Sequence, residues 1–333
     1  VKRRKPVVPR FGSVWRHAAR ELDAAGLHFG HGAASSQDEV AWLLIHALGW
    51  PLLESFAKFD ALQQRDIPPD ALVRFNALLA QRIATRKPAA YLLGEAWLQG
   101  MRFLVDERVI VPRSFIAELL DDGLTAWLPA EPQRVADICT GSGCLAILAA
   151  LRWPQAQVLG TDISPDALAV AQANVALHNL QHRVRLLQSD LLDALPQPVS
   201  AQAAVNAPAR HQATQPAATL TMHRAAGTQP GFDLMLCNPP YVNAASMLAL
   251  PQEYRHEPEL ALAGGQDGMD LIRRLLADAS RQLAPQGVLV LEIGHERTHF
   301  EAAFPNLPVV WLATSSGDDA VLLIEAATLR RAT

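Results

Sequence analysis

One tetrapeptide constrains the fold of this chain more than any other: Asn238-Pro239-Pro240-Tyr241 follows directly on Phe232-Asp233-Leu234-Met235-Leu236-Cys237. The hexapeptide is an apolar run of strand length. Two prolines cannot continue a central strand, so the chain must leave the sheet at the strand's carboxyl end. In open α/β sheets, that edge is where ligands bind. An Asn held there by two stiff residues presents its side-chain carbonyl and a neighbouring backbone carbonyl. Two acceptors side by side suit a planar –NH2 group on an amide or a base, and the adjacent aromatic ring can stack on its plane.

The rest of the chain fits such a sheet. From Ser114 onward, strands alternate with helices, the mark of a parallel sheet covered on both faces. The pattern predicts helices over 114–127, 143–152, 164–179, 268–284 and near 296–303. Strands are expected over 134–139, 156–162, 183–188, 232–237, 287–293 and near 308–313 and 319–325, and the Ser315-Ser316-Gly317-Asp318 turn closes a terminal hairpin. Residues 1–90 read as a small helical domain. Asp38 can cap a run carrying Val40, Leu43, Leu44, Ala47 and Leu48, stopped by Gly49 and Pro51. Ala71–Arg86 places Leu72, Phe75, Leu78, Leu79 and Ile83 on one face. Residues 91–113 read as a bridging β-hairpin. The stretch 196–231 is rich in Ala, Gln, Pro and Thr and has no acidic residue, so it reads as a disordered insertion.

With 333 residues, half of them hydrophobic, and a net charge of −4, two domains and an ordinary globular composition follow. No apolar run reaches the ~20 residues of a membrane helix, so no membrane partner is expected. Lys2, Arg3, Arg4, Lys5 and Arg10 read as a solvated tail, without the apolar core of a signal peptide. Three cysteines with no close pair give neither a disulfide framework nor a zinc signature. A reducing, cytoplasmic setting and no metal are therefore expected. Cys139 and Cys144 should pack in the core beside the glycine loop, and Cys139 and Cys237 should end neighbouring strands.

A second motif lies where strand 134–139 gives way to a helix: Asp137-Ile138-Cys139-Thr140-Gly141-Ser142-Gly143. Its glycines let the backbone approach a ligand, and free N–H groups at the helix start favour an anionic group. Asp162, with Ile163 after it, ends the next strand, where an acid typically accepts ribose hydroxyls. Ser189 and Asp190 end the third, placed for an adenine amino group. Gly141-x-Gly143-x-x-Ala146 also fits a dinucleotide fingerprint, so a nicotinamide dehydrogenase stays open on the loop alone. Asn-Pro-Pro-Tyr has no part in hydride transfer.

Together the motifs resemble those of Rossmann-like class I methyltransferases, with seven strands closed by an antiparallel hairpin. The tetrapeptide alone is shared by enzymes acting on nucleic-acid adenine, RNA guanine and protein glutamine. The whole chain resembles the protein-(glutamine-N5) methyltransferases, in the branch that modifies large-subunit ribosomal protein three. The resemblance rests on Phe29-Gly30-His31-Gly32 with Asp38-Glu39, Val111-Pro112-Arg113-Ser114, the glycine loop and Asn-Pro-Pro-Tyr-Val242. It rests also on Glu253-Tyr254-Arg255-His256-Glu257-Pro258 and Leu262-Ala263-x-Gly265-x-Asp267-Gly268-Met269-Asp270. Phe115 stands where proline is expected, and His295 where Asn is common.

The resemblance implies that Asn238, Pro239, Pro240 and Tyr241 hold a glutamine amide. It implies S-adenosyl-L-methionine among Asp137, Thr140, Gly141, Ser142, Gly143, Asp162, Ile163, Ser189, Asp190 and Asn238. Glu257 and Pro258 would shape the glutamine pocket or simply turn the chain. The expected partner is the ribosomal protein, free or in an assembly intermediate, gripped by the helical domain. A release factor is the nearest alternative substrate. Direct nucleic-acid binding is disfavoured by the acidic charge and the apolar helical domain. A non-catalytic module on the same fold would have tolerated loss of Asn238.

Overall fold

The computed structural model describes residues 8–121, 123–196 and 231–332. All but the end residues of the expected insertion lie outside the described residues. In the helical domain, α1 (Phe11–Ala24), α2 (Ser36–Leu48) and α3 (Pro69–Thr85) pack around α2, whose Val40, Trp42, Leu43, Leu44 and Ile45 are all buried. The cap of α2 is Ser35, whose hydroxyl accepts the Asp38 N–H; Asp38, expected as the cap, lies in the first turn. Its carboxylate instead accepts the Ser35 hydroxyl at 2.7 Å and faces the positive end of the helix. Gly49 ends the helix in the left-handed conformation, as the sequence requires.

The bridge is shorter than its sequence pattern: β1 (Glu95–Leu98) and β2 (Met101–Leu104) pair around Gln99-Gly100, both at positive φ. Its backbone is tied to the sheet domain by Asn174, whose side chain accepts from the Leu104 N–H and donates to the Leu104 and Ser142 carbonyls.

The remaining strands form one sheet: β3 (Arg134–Ile138), β4 (Gln157–Asp162), β5 (Val184–Gln188), β6 (Phe232–Cys237), β7 (Leu283–Glu292), β8 (Val310–Thr314) and β9 (Gly317–Glu325). Their order is β5-β4-β3-β6-β7-β9-β8, with β9 antiparallel to both neighbours and the other pairs parallel. Successive connections run one way from β3 and the other way from β6. The switch point therefore falls between β3 and β6, at the carboxyl ends that carry the glycine loop and Asn238. β6, apart from the half-buried Asp233, and the second half of β7 are buried, as parallel strands covered on both faces must be. The helices α4 (Cys144–Arg152), α5 (Pro165–Leu177), α6 (Asp270–Gln282), α7 (Arg297–Ala303) and α8 (Ala326–Ala332) complete the layers.

The helix expected over 114–127 is instead a single turn, Ile116–Leu119, followed by a 3-10 turn at Thr125–Trp127. Ser114 is bonded to β7 at its start, and Asp121 and Gly123 are weak helix formers in its middle. β7 begins four residues before the expected strand, because Leu283 pairs with Phe232 ahead of a register irregularity.

Candidate active site

Two cavities meet at the switch point. The first, about 900 Å³ including its open mouth, is walled by Gly141, Asp162, Ile163, Ser189 and Asp190 on one side and by Asn238 and Pro240 on the other. A Cβ at Gly141 would meet no atom within 4 Å, so the loop leaves clear space for a ligand against its backbone. Asp162 shapes this wall: its carboxylate accepts the N–H groups of Gly141 and Ser164, each at 2.9 Å. Burial raises its carboxyl above the ordinary value. Asp190 faces the cavity but pairs with Arg274 at 2.8 Å, so a ligand amino group would share its carboxylate with a guanidinium.

Four expected cofactor residues stand behind the wall. The Asp137 carboxylate is buried, accepting the Thr140 hydroxyl at 2.5 Å and the Ala146 N–H at 2.9 Å, and burial pushes it up to about 7. It ties the loop to the start of α4. Thr140 completes that tie, and Ser142 holds Asn174 through its carbonyl. Gly143, at φ +79, lies so close to α5 that a Cβ would sit 3.1 Å from that of Ala171. These residues build the loop without lining the cavity.

The second cavity, about 1400 Å³ with its mouth, lies on the other side of Asn238. Asn238, Ile110 and Ala261 line both cavities. The second is also walled by Pro239 and Tyr241, by Gly30 and Gly32 of the helical domain, and by Arg113, Tyr254, Glu292 and His295. Thus Asn238, Pro239 and Tyr241 face the second cavity, while Pro240 faces the first. The Tyr241 ring is seated on Gly294: a Cβ there, at φ +54, would lie 2.7–2.9 Å from the ring and hydroxyl. Burial pushes the phenol well above its ordinary value, so Tyr241 stays neutral.

A buried charge network fixes the helical domain against this cavity. The Glu257 carboxylate receives both terminal nitrogens of Arg113, at 2.5 and 2.6 Å, and the Val111 N–H at 3.0 Å. Burial alone would raise that carboxyl, but Arg113 holds it at about 2. Arg113 also lies over the Tyr254 ring, 5.3 Å from its centre. Glu253, equally buried, accepts the His28 N–H at 3.0 Å and pairs with Arg86 at 2.8 Å. Arg82, wholly buried, bonds Glu39 at 2.7 Å and the His28 carbonyl at 3.1 Å. His31 is buried beside Tyr254, with ring centres 4.3 Å apart, and burial lowers its pKa. Its Nε2 is 3.7 Å from Glu257, too far for a hydrogen bond. Glu257 therefore acts on the second cavity through Arg113, and Pro258 lines the first.

Arg108, Val109, Arg274 and Glu292 wall the cavities without having been singled out in the sequence. Only Glu292 left a signal there, an acid ending the apolar run Val288-Leu289-Val290-Leu291. Among the described residues no cluster of His, Cys, Asp and Glu could hold a metal ion, and no helix is long and apolar enough to cross a membrane. Cys237 ends β6 and pairs with Ile138, the last residue of β3, so Cys139 falls one residue past its strand rather than ending it. Cys144 and Cys237 are buried, whereas Cys139 is half-buried.

Residues 135–228 match the family model described as a methyltransferase domain. The sheet order, the glycine loop and the junction at Asn238 define a Rossmann-like class I methyltransferase with a helical domain at its amino end. Residues 13–94 match the PrmC N-terminal domain. The chain is 50% identical over 311 residues to the ribosomal protein uL3 glutamine methyltransferase of Bordetella pertussis, covering 93% of this chain and 92% of the relative. It is 48% identical to the protein of that name from Burkholderia pseudomallei, with 94% of each covered. For the one from Neisseria meningitidis serogroup B the identity is 42%, over 93% of this chain and 91% of the relative. The chain belongs to the ribosomal protein uL3 glutamine methyltransferase family.

Proposed function

We propose that this protein transfers a methyl group from S-adenosylmethionine to the side-chain nitrogen of a glutamine on ribosomal protein uL3. The observation that carries the reading is the position of Asn238, which walls both cavities at their junction. The first cavity suits the cofactor. Gly141 offers backbone without a side chain, and Asp162, beside it, can accept ribose hydroxyls. The bound cofactor supplies an activated methyl on a sulfonium.

The second cavity takes the acceptor. An amide nitrogen is a poor nucleophile because its lone pair is delocalised into the carbonyl. The Asn238 side-chain carbonyl and the Pro239 carbonyl accept its two N–H bonds, hold it in line with the methyl, and favour charge development on nitrogen. Tyr241 covers the planar group and keeps water out. Gly30 and Gly32 at the rim fit a role for the helical domain in gripping the protein substrate, free or in a cytoplasmic assembly intermediate.

The test is methyl transfer from labelled S-adenosylmethionine to purified uL3, a release factor and adenine-containing DNA in parallel, with mass spectrometry locating the label. Label on a uL3 glutamine supports the reading. Label on the release factor keeps the chemistry and changes the substrate, while label on DNA alone overturns both. In the same assay, Asp162→Ala raises the cofactor Kd at least tenfold by removing the ribose acceptor and freeing the Gly141 and Ser164 N–H groups. Titration calorimetry reads the change; an unaltered Kd would show that the ribose does not reach Asp162.

A further inference from the structure

Methylating an amide nitrogen leaves a proton to be disposed of, and the two carbonyls that hold the nitrogen are too weakly basic to keep it. The second cavity contains one carboxyl group among its lining residues, that of Glu292. Cys237 pairs with Leu291 across the parallel strands β6 and β7, so the next residues, Asn238 and Glu292, come side by side at the carboxyl edge. One oxygen of Glu292 is fixed: its Oε2 accepts the Ser114 hydroxyl at 2.6 Å and the Ile116 N–H at 3.3 Å. Its Oε1 is not the oxygen that the Ser114 hydroxyl and the Ile116 N–H occupy, and Glu292 walls the cavity although only 2% of its surface is exposed.

We propose that Glu292 is a catalytic residue of this site, the base that takes the proton released by the acceptor nitrogen. This rests on the amide reading above. The nitrogen forms a bond to the methyl carbon as the carbon–sulfur bond breaks, and that electron pair leaves on sulfur. One N–H bond then gives its pair to nitrogen, and its proton passes to Glu292 Oε1. After the product departs, the carboxyl group returns the proton to solvent.

The surroundings suit a base at neutral pH. Burial pushes the Glu292 carboxyl up to about 7, against the lowering effects of the Ser114 hydroxyl, the Ile116 and Phe115 N–H groups and the Arg113 charge. Its other titratable neighbours are the Tyr241 phenol and the Cys144 thiol, both raised by burial and therefore neutral, and His295 across the same cavity. A base works best with a pKa close to the working pH.

The experiment is single-turnover methyl transfer to uL3 from pH 5.5 to 8.5, with cofactor affinity and thermal melting measured alongside. The wild-type rate rises with pH to a plateau, with its inflection near 7. Glu292→Gln, which still accepts the Ser114 hydroxyl, falls about 10²-fold or more and loses the inflection while binding the cofactor normally. A Glu292→Gln rate with wild-type size and inflection overturns the proposal.

Ser114→Ala provides an independent reading should Glu292→Gln fail to fold. Loss of a hydrogen bond that favours the carboxylate moves the inflection to higher pH, whereas a purely structural role for Glu292 would leave it in place. An unmoved inflection overturns the proposal. A wild-type enzyme that labels no uL3 glutamine removes the amide reading and this inference together; an active wild type matched by Glu292→Gln removes the inference alone.

Discussion

Asn238→Ala binds S-adenosylmethionine within about threefold of wild type and loses roughly 10²–10³-fold in methyl transfer, the usual effect of deleting one preorganised hydrogen-bonding group from a reacting centre. The expectation follows from the geometry. Asn238 is one of many walls of the first cavity, proposed for the cofactor, but one of only two proposed holders of the acceptor's N–H bonds. Removing its carbonyl leaves most cofactor contacts in place and lets the amide rotate out of line with the methyl. Calorimetry for affinity and single-turnover transfer for rate separate the two effects. Wild-type turnover in the variant would mean that Asn238 does not hold the acceptor. A lost cofactor affinity with unchanged turnover at saturation would place it on the cofactor side alone.

Arg113→Met destabilises the protein by about 3–5 kcal/mol, because it leaves the Glu257 carboxylate buried without its cation. The Glu257 side chain has no solvent exposure, and Arg113 supplies two of its hydrogen bonds, so water cannot readily replace them. The pH dependence identifies the cause. Arg113 holds the Glu257 carboxyl at about 2, below the ordinary 4.5. A depressed folded-state value contributes stability that is fully present above about 4.5 and lost as pH falls towards 2. In Arg113→Met, protonation of Glu257 relieves the buried charge instead. Urea unfolding of the two proteins therefore shows a gap that narrows as pH falls through that window. A constant gap would mean that the loss comes from packing rather than from the pair.

How far the sequence revealed this arrangement depended on whether the physics was local. Two prolines after an apolar run end a strand anywhere, so the exit at Asn238 and the switch point beside it were legible. The glycine loop was legible for the same reason, as were Asp162 and Asp190 at their strand ends. The role of Asp137 was not, since a carboxyl at a strand end can face a ligand or turn back to its own loop. The Thr140 hydroxyl and the Ala146 N–H turn it back. Ser35 and Asp38 compete to cap the same helix, and three residues of sequence do not decide between them. The interface was the least visible part. Glu257 meets Arg113 across 144 positions, and Glu253 meets His28 across 225, so no window of local sequence contains both partners. Two of the motifs that carried the family resemblance, Val111-Pro112-Arg113-Ser114 and Glu253-Tyr254-Arg255-His256-Glu257-Pro258, hold the two halves of the Arg113–Glu257 pair.

The junction at Asn238 has a consequence for inhibition. The two cavities share Ile110, Asn238 and Ala261 as lining, so on the proposed reading a molecule that reaches past Asn238 would engage both. An adenosyl group tethered through a short linker to a side-chain amide would bind its second half at the effective concentration set by the linker, not by dilution. Such a tether can exceed the affinity of either half by 10²–10⁴-fold without any new contact, provided it spans the distance without strain. The amide half would carry the selectivity, since its cavity is walled jointly by two domains, whereas the adenosyl half addresses a loop of a kind that unrelated enzymes share.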